Sequence, residues 1–333
     1  MIEGIYLRKI KADKKVDYYT ECGTDGLRKS GRLVKVCEMG KSEGLSKSYA
    51  SRKTGGHNRL IALIRLDIHE GILKKFYKYI TIMIITVLVS VMYIYTYNNI
   101  VSDGMISVRS FSFADIWIYL FRGKVINITG RGYELPSVVY LSVQFVIAFI
   151  IGNYAEKDLN GMAKNIIVSS QSRLLWIISK IVWMVITVTA VYVVMAAIIV
   201  IACVLHPDGN ICLTVNTELA EVITGITFSE EITRKCIREL IFVSYMASLE
   251  LGSIQLAVMI MFNAQLAYMA DVIIVVLSAY IHSPLLCGNA FMYAAMKLVK
   301  GGGVSPLWLF LISALVMLSQ IIIMAVYFIR KDI

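Results

Sequence analysis

The chain has 333 residues, 58% of them hydrophobic and only 17% charged, with a mean hydropathy of +0.70. A soluble domain of this length carries more charge and less apolar sequence, so composition excludes an ordinary water-soluble enzyme and predicts an all-α, polytopic membrane protein. The net charge of +10 is uneven: residues 1–57 hold thirteen Lys and Arg against seven Asp and Glu, and the other 276 hold twenty against sixteen.

Residues 1–57 are rich in Lys, Ser and Gly and show no sustained hydrophobic period. They read as a basic, poorly ordered cytoplasmic tail drawn to anionic lipid. No nucleic-acid-binding motif accompanies the charge, so no nucleic-acid partner is expected. The fragment Gly23-Thr-Asp-Gly-Leu-Arg-Lys29-Ser30 looks superficially like a phosphate loop. Arg28 stands where such a loop needs glycine, and no strand leads into it, so no nucleotide site is expected in this chain. A charged N-terminus without an apolar core also predicts no cleavable leader.

Residues 58–333 read as a single six-span domain. It opens with an amphipathic segment, 59–78, in which Ile61, Ile64, Ile68, Ile72 and Phe76 form a stripe. Arg65, His69, Glu70, Lys74 and Lys75 lie off it. This predicts an N-terminal interfacial helix whose Lys74, Lys75 and Lys78 stretch toward headgroups. His69-Glu70 is no zinc motif, since Leu73 occupies the place of the second histidine.

Apolar runs then place spans at about 79–97, 136–154, 174–205, 240–262, 264–281 and 306–329, lengths suited to a hydrocarbon core of ~30 Å. Tyr93, Tyr95 and Tyr97 predict an aromatic belt at the far end of the first span. The aromatic run 111–121 is expected on the outer surface, and Asn263 with Gln265 predicts a tight helical hairpin. Short helical pieces are expected over 285–305, ahead of the last span. Six spans put both termini on one side. The Lys and Arg near the first span, with Lys157, Lys164 and Arg173, make that side cytoplasmic.

Between the second and third spans lies a polar interlude whose Leu159, Met162, Ala163, Ile166 and Ile167 fall on one helical face. Such a helix is either an interfacial connector or a handle for a soluble partner. Lys180, near the start of the third span, is accounted for by reaching back to the membrane surface. Glu250 and Asp271 are the acidic residues inside the predicted spans. A charge at bilayer depth costs roughly 2.5–3.5 kcal/mol on insertion scales, so each is a candidate for the substrate path or a structural acid. The six cysteines show no C-x-x-C and no histidines at ligand spacing, so no metal site is expected.

The interlude resembles the cytoplasmic coupling region of permease subunits of ABC transporters of the type-2, export-type family. That pattern has an acid, Gly-Thr, a polar turn, Ser-Arg, and a Ser-Lys entering the third span. Glu156 or Asp158 matches the acid, Gly161 the glycine, Asn165 the turn, Ser172-Arg173 the Ser-Arg and Ser179-Lys180 the Ser-Lys. Met162 departs from the expected threonine, and Ser170 from the usual Gly or Pro. The resemblance implies a permease that forms the substrate path, pairs with a second permease subunit and couples to a separate ATPase through a 156–173 coupling helix. It implies no catalytic residue and no bound cofactor in this chain, ATP and magnesium belonging to the ATPase, and a place in the plasma membrane. Arg173 and Lys180 would fix the hinge at the membrane surface.

Two other classes compete. An ion-coupled secondary transporter would use Glu250 and Asp271 as coupling carboxylates, although no internal repeat supports two inverted halves. An intramembrane protease would draw on Glu230-Glu231, His206 and Asn210, but Lys235 stands where its arginine is needed.

Overall fold

The computed structural model describes residues 56–104, 106, 110–123, 138–152, 154–161, 173–225, 227–228, 234–281, 283–297 and 304–330. The tail prediction and positions 162–172 lie outside them. Among the described residues the chain is almost wholly helical. Five stretches are long and apolar enough to cross a membrane: Tyr77–Ser102, Val138–Asn160, Arg173–Leu205, Arg234–Met261 and Pro306–Arg330. Their outward faces carry bare apolar side chains, such as Val193 at 61% exposure, Ile322 at 62% and Leu315 at 66%. Water does not tolerate such continuous apolar cladding, whereas lipid does, and helices satisfy their own backbone there.

Helix α1 (Gly56–Gly71) ends where Gly71 approaches the Trp183 ring so closely that a Cβ would lie 2.3 Å from Nε1. A 3-10 turn (Leu73–Lys75) follows, then α2 (Tyr77–Ser102). The expected single segment 59–78 is therefore broken at the glycine, and its inward face is not the isoleucine stripe. Ile61 is 51% exposed, while Asp67 and Gly71 are buried.

Beyond α2 the chain forms β1 (Phe111–Ser112) and α3 (Phe113–Leu120). All eight residues of α3 are buried, correcting the expectation of a surface-lying aromatic run. The reason lies in what the aromatics meet. Trp117 packs on Phe113, Phe121 and Tyr192 with ring centroids 5.4–5.9 Å apart, and its Nε1–H donates to the Tyr293 hydroxyl at 3.0 Å. Tyr93 and Tyr97 are drawn into the same cluster against Phe111, leaving Tyr95 as the exposed tyrosine of the three.

Helix α4 (Val138–Ile151) turns through Gly152, at φ +50°, into the short α5 (Tyr154–Asn160). A left-handed backbone at that point favours glycine. Lys78 closes the end of α4 by donating to the carbonyls of Phe149 (2.7 Å) and Ile150 (3.3 Å). It is buried, so it does not reach outward as predicted. A cation at a helix C-terminus also meets the negative end of the dipole.

Helix α6 (Arg173–Leu205) leads to β2 (Gly209–Asn210), which pairs in parallel with β1, Phe111 opposite Gly209. Helix α7 (Thr217–Thr224) precedes α8 (Arg234–Met261), the most enclosed of the long helices. Asn263 caps α9 (Ala264–Ser278) through a 2.8 Å bond from the Leu266 N–H, giving the expected hairpin. Helix α9 has 15 residues, about 22 Å of rise, short of a ~30 Å core. Two 3-10 turns (Cys287–Phe291, Tyr293–Ala295) lead to α10 (Pro306–Arg330).

Candidate functional site

The polar interlude enters the fold through α5, whose two carboxylates, Glu156 and Asp158, are turned inward onto neighbouring helices. Asp158 Oδ2 accepts from Lys180 Nζ at 2.6 Å and from Trp176 Nε1 at 2.9 Å. Lys180 also donates to Asp67 Oδ1 from α1. Asp67 further accepts the Tyr154 hydroxyl at Oδ1 and the Ser179 hydroxyl at Oδ2, both at 2.8 Å. The Lys180 ammonium lies 4.6 Å from the centroid of the Tyr154 ring and 5.4 Å from that of Trp176. One ammonium thus bridges two carboxylates inside an aromatic frame, tying α1, α5 and α6 together.

Lys180 is 1% exposed and Asp67 2%. The expectation that Lys180 reaches back to the membrane surface is therefore corrected. Two carboxylates converge on it from helices far apart in sequence, so its charge is neutralised without a path to water. Burying charges is costly, and breaking such a pair by removing one partner costs about 3–5 kcal/mol. Asp67 escapes a hydropathy reading, yet it sits on the helical stripe of Ile64, Ile68 and Gly71. A carboxylate on an apolar stripe needs a buried partner, and that was the available signal.

The other coupling candidates divide by location. Glu156 Oε2 accepts the Ala264 N–H at 2.8 Å, so it caps α9 beside Asn263. Gly161 is exposed at the end of α5 and donates its N–H to Asp158 O at 3.0 Å. Arg173 donates to the carbonyls of Phe328 (3.4 Å) and Ile329 (2.9 Å), pinning the start of α6 to the end of α10, where Trp176 stacks on Phe328. Met162, Asn165 and Ser172 fall outside the described residues. Facing outward from α5 are Lys157, Asn160 and Gly161.

Glu250 and Asp271 stand apart from this cluster. Both are buried, and Cys287 lies within electrostatic reach of each. Ser313 of α10 is the polar neighbour of Glu250. Among the described residues, Glu250 Oε2 and both Asp271 oxygens find no hydrogen-bond partner. The intramembrane-protease constellation does not assemble among the described residues. His206 accepts the Asp208 N–H at 3.2 Å and packs on Tyr97 and Phe111, while Glu230 and Glu231 lie outside them. No group of three or more His, Cys, Asp or Glu suited to a metal occurs among the described residues.

No protein-family model matches the chain, and no curated protein matches it. The site must be read from its own chemistry. At the opposite end of the bundle, Asp115 accepts the Ser112 N–H and hydroxyl at 2.8 and 2.9 Å and the Asn216 N–H at 3.1 Å. Burial outweighs these donors and raises its pKa to about 6. This carboxyl joins α3 to α7 and lies on no predicted path.

Proposed function

We propose that the chain is the membrane-spanning permease subunit of an ATP-driven ABC exporter. On this reading it crosses the plasma membrane six times, with α9 and the turns after it making the fifth pass and both termini in the cytoplasm. Helix α1 lies in the interface, and the 156–173 segment is the coupling helix, gripped by a separate ATPase that binds ATP and magnesium. A second permease subunit completes the path, and this chain does no covalent chemistry.

The observation that carries the reading is the buried Asp67–Lys180–Asp158 bridge at the base of the interlude. A lever that rocks spans from outside needs a stiff joint where it meets them. This joint spreads a push on α5 into α1 and α6 at once, while Glu156 passes it to the start of α9. A passive interfacial connector has no need of that buried charge.

Glu156 and Asp158 are consumed by the joint, so charge reversal there would damage the fold along with docking. The cleaner test is Asn160→Arg with Gly161→Arg, on the exposed end of α5. The expected outcome is that ATPase activity copurifies with the wild-type chain and is lost from the variant, whose own unfolding midpoint is unchanged. Wild-type chain purified gently without ATPase activity, or a variant that retains it, would overturn the reading.

A second reading is favoured by one observation, that both Asp271 oxygens and Glu250 Oε2 are buried without a hydrogen-bond partner among the described residues. Ion-coupled transport would use them. Transport sustained by an ion gradient after ATP depletion, and lost in Glu250→Gln and Asp271→Asn, would favour it. Transport unaffected by both substitutions would remove it.

A further inference from the structure

Three lysines from three elements meet where α1 gives way to α2. Lys75 belongs to the 3-10 turn, Lys78 to the first turn of α2 and Lys157 to α5. Lys78 lies within electrostatic reach of Lys75 and Lys157, and Lys75 within that of Lys157. Burial, followed by repulsion from Lys157, lowers the Lys75 pKa from its usual value, with Glu70 opposing and Lys180 adding to the shift. Lys75 Nζ stands 4.5 Å above the Tyr154 ring. Glu70, the acid nearest this turn, forms its ion pair with Lys74 at 2.6 Å instead. Among the described residues none of the three lysines forms an ion pair with a carboxylate.

Beside these charges the chain exposes Leu73 (61%), Phe76 (58%) and Tyr77 (61%), at the point where an apolar membrane-length helix begins. Like charges brought together with no carboxylate bonded to them repel. Their persistence next to an uncovered apolar rim fits one kind of molecule, which carries an anion at one end and hydrocarbon at the other.

We propose that Lys75 and Lys157 hold the phosphate of an anionic phospholipid headgroup, with the buried Lys78 adding its charge from behind and Leu73, Phe76 and Tyr77 against the acyl chains. A nucleic acid or an acidic protein surface would match the charge but not the rim. The lipid would bridge α2 and α5, so its presence would stiffen the same end of the bundle as the Lys180 joint. The inference needs only the membrane setting and does not rest on the exporter reading.

The test is thermal unfolding of the full-length protein in neutral detergent, titrated with short-chain phosphatidylglycerol, phosphatidylcholine or inorganic phosphate. Lys75→Gln with Lys157→Gln is the variant, because Lys78 also holds the end of α4. Lys235→Gln, an exposed lysine at the opposite end of the bundle, is the control. Phosphatidylglycerol is expected to raise the midpoint of wild type and control alike, and phosphatidylcholine to do little. The double variant should need about 25-fold more phosphatidylglycerol, from about 1 kcal/mol, or roughly fivefold, per lysine. Equal response in the double variant, an equal effect of phosphatidylcholine, or full replacement by inorganic phosphate would overturn it.

Discussion

Lys180 shows how one side chain can be visible in a sequence and still be misread. A lysine near the end of an apolar run is accounted for locally by a long stem and a nearby surface. The residue that engages it lies 113 positions earlier, on another helix, and periodicity carries no information about such a pairing. Asp67 was legible only as an anomaly, a carboxylate on a stripe of Ile64, Ile68 and Gly71. If the bridge is what holds this end together, Lys180→Met should lower stability by about 3–5 kcal/mol, because it strands buried carboxylates. Adding Asp67→Asn and Asp158→Asn should recover most of that loss, since a neutral cluster no longer contains an unpaired charge. Unfolding midpoints in lipid nanodiscs compare the two. A triple variant as unstable as the single one would mean that packing around the Lys180 stem, and not charge, is what was lost.

At the scale of elements, α3 was legible as an aromatic run but neither as a helix nor as core. Hydropathy reports that a segment is apolar and says nothing of what covers it. Here α2, α6, α7 and the Tyr293–Ala295 turn supply the cover. Ser112 and Asp115 form a capping box that starts the helix, and Asp115 also reaches Asn216 at the head of α7. That carboxyl has an ordinary pKa of 3.8 and one of about 6 in the fold. Between those values the unfolded chain has released the proton while the folded chain still holds it. The contribution is therefore complete below about pH 4, falls as pH rises toward 6 and is flat above. The rise from 3.8 to about 6 corresponds to roughly 3 kcal/mol at most. Chemical unfolding measured from pH 4 to pH 7 should show this decline in the wild type, and Asp115→Asn should lack it. A parallel decline in both proteins would assign the pH dependence to another group.

For the molecule as a whole, the contacts fix which helix ends share a side. Lys78 meets the end of α4, Arg173 meets the end of α10, and the Tyr327 hydroxyl donates to the carbonyl of Met261 at the end of α8, at 3.1 Å. Helices α8 and α10 thus finish at the same end, so the chain between them must travel back the full height. The apolar run through Ile281 predicted a full-length span there, but the helix stops at Ser278. Ser283-Pro284 lies just ahead, and a residue before proline is disfavoured in helical geometry. The remaining distance falls to irregular chain and 3-10 turns. Single-cysteine variants test this passage with an impermeant maleimide on intact cells. Native Cys212 reports the α3 end, Lys157→Cys the α5 end, and Leu285→Cys, at a site 72% exposed, the segment just past α9. Cys212 and Leu285→Cys should label directly, and Lys157→Cys only after the membrane is opened. If Leu285→Cys behaved like Lys157→Cys, α9 would turn back before crossing, and the parallel return to α10 would have to be made after residue 285.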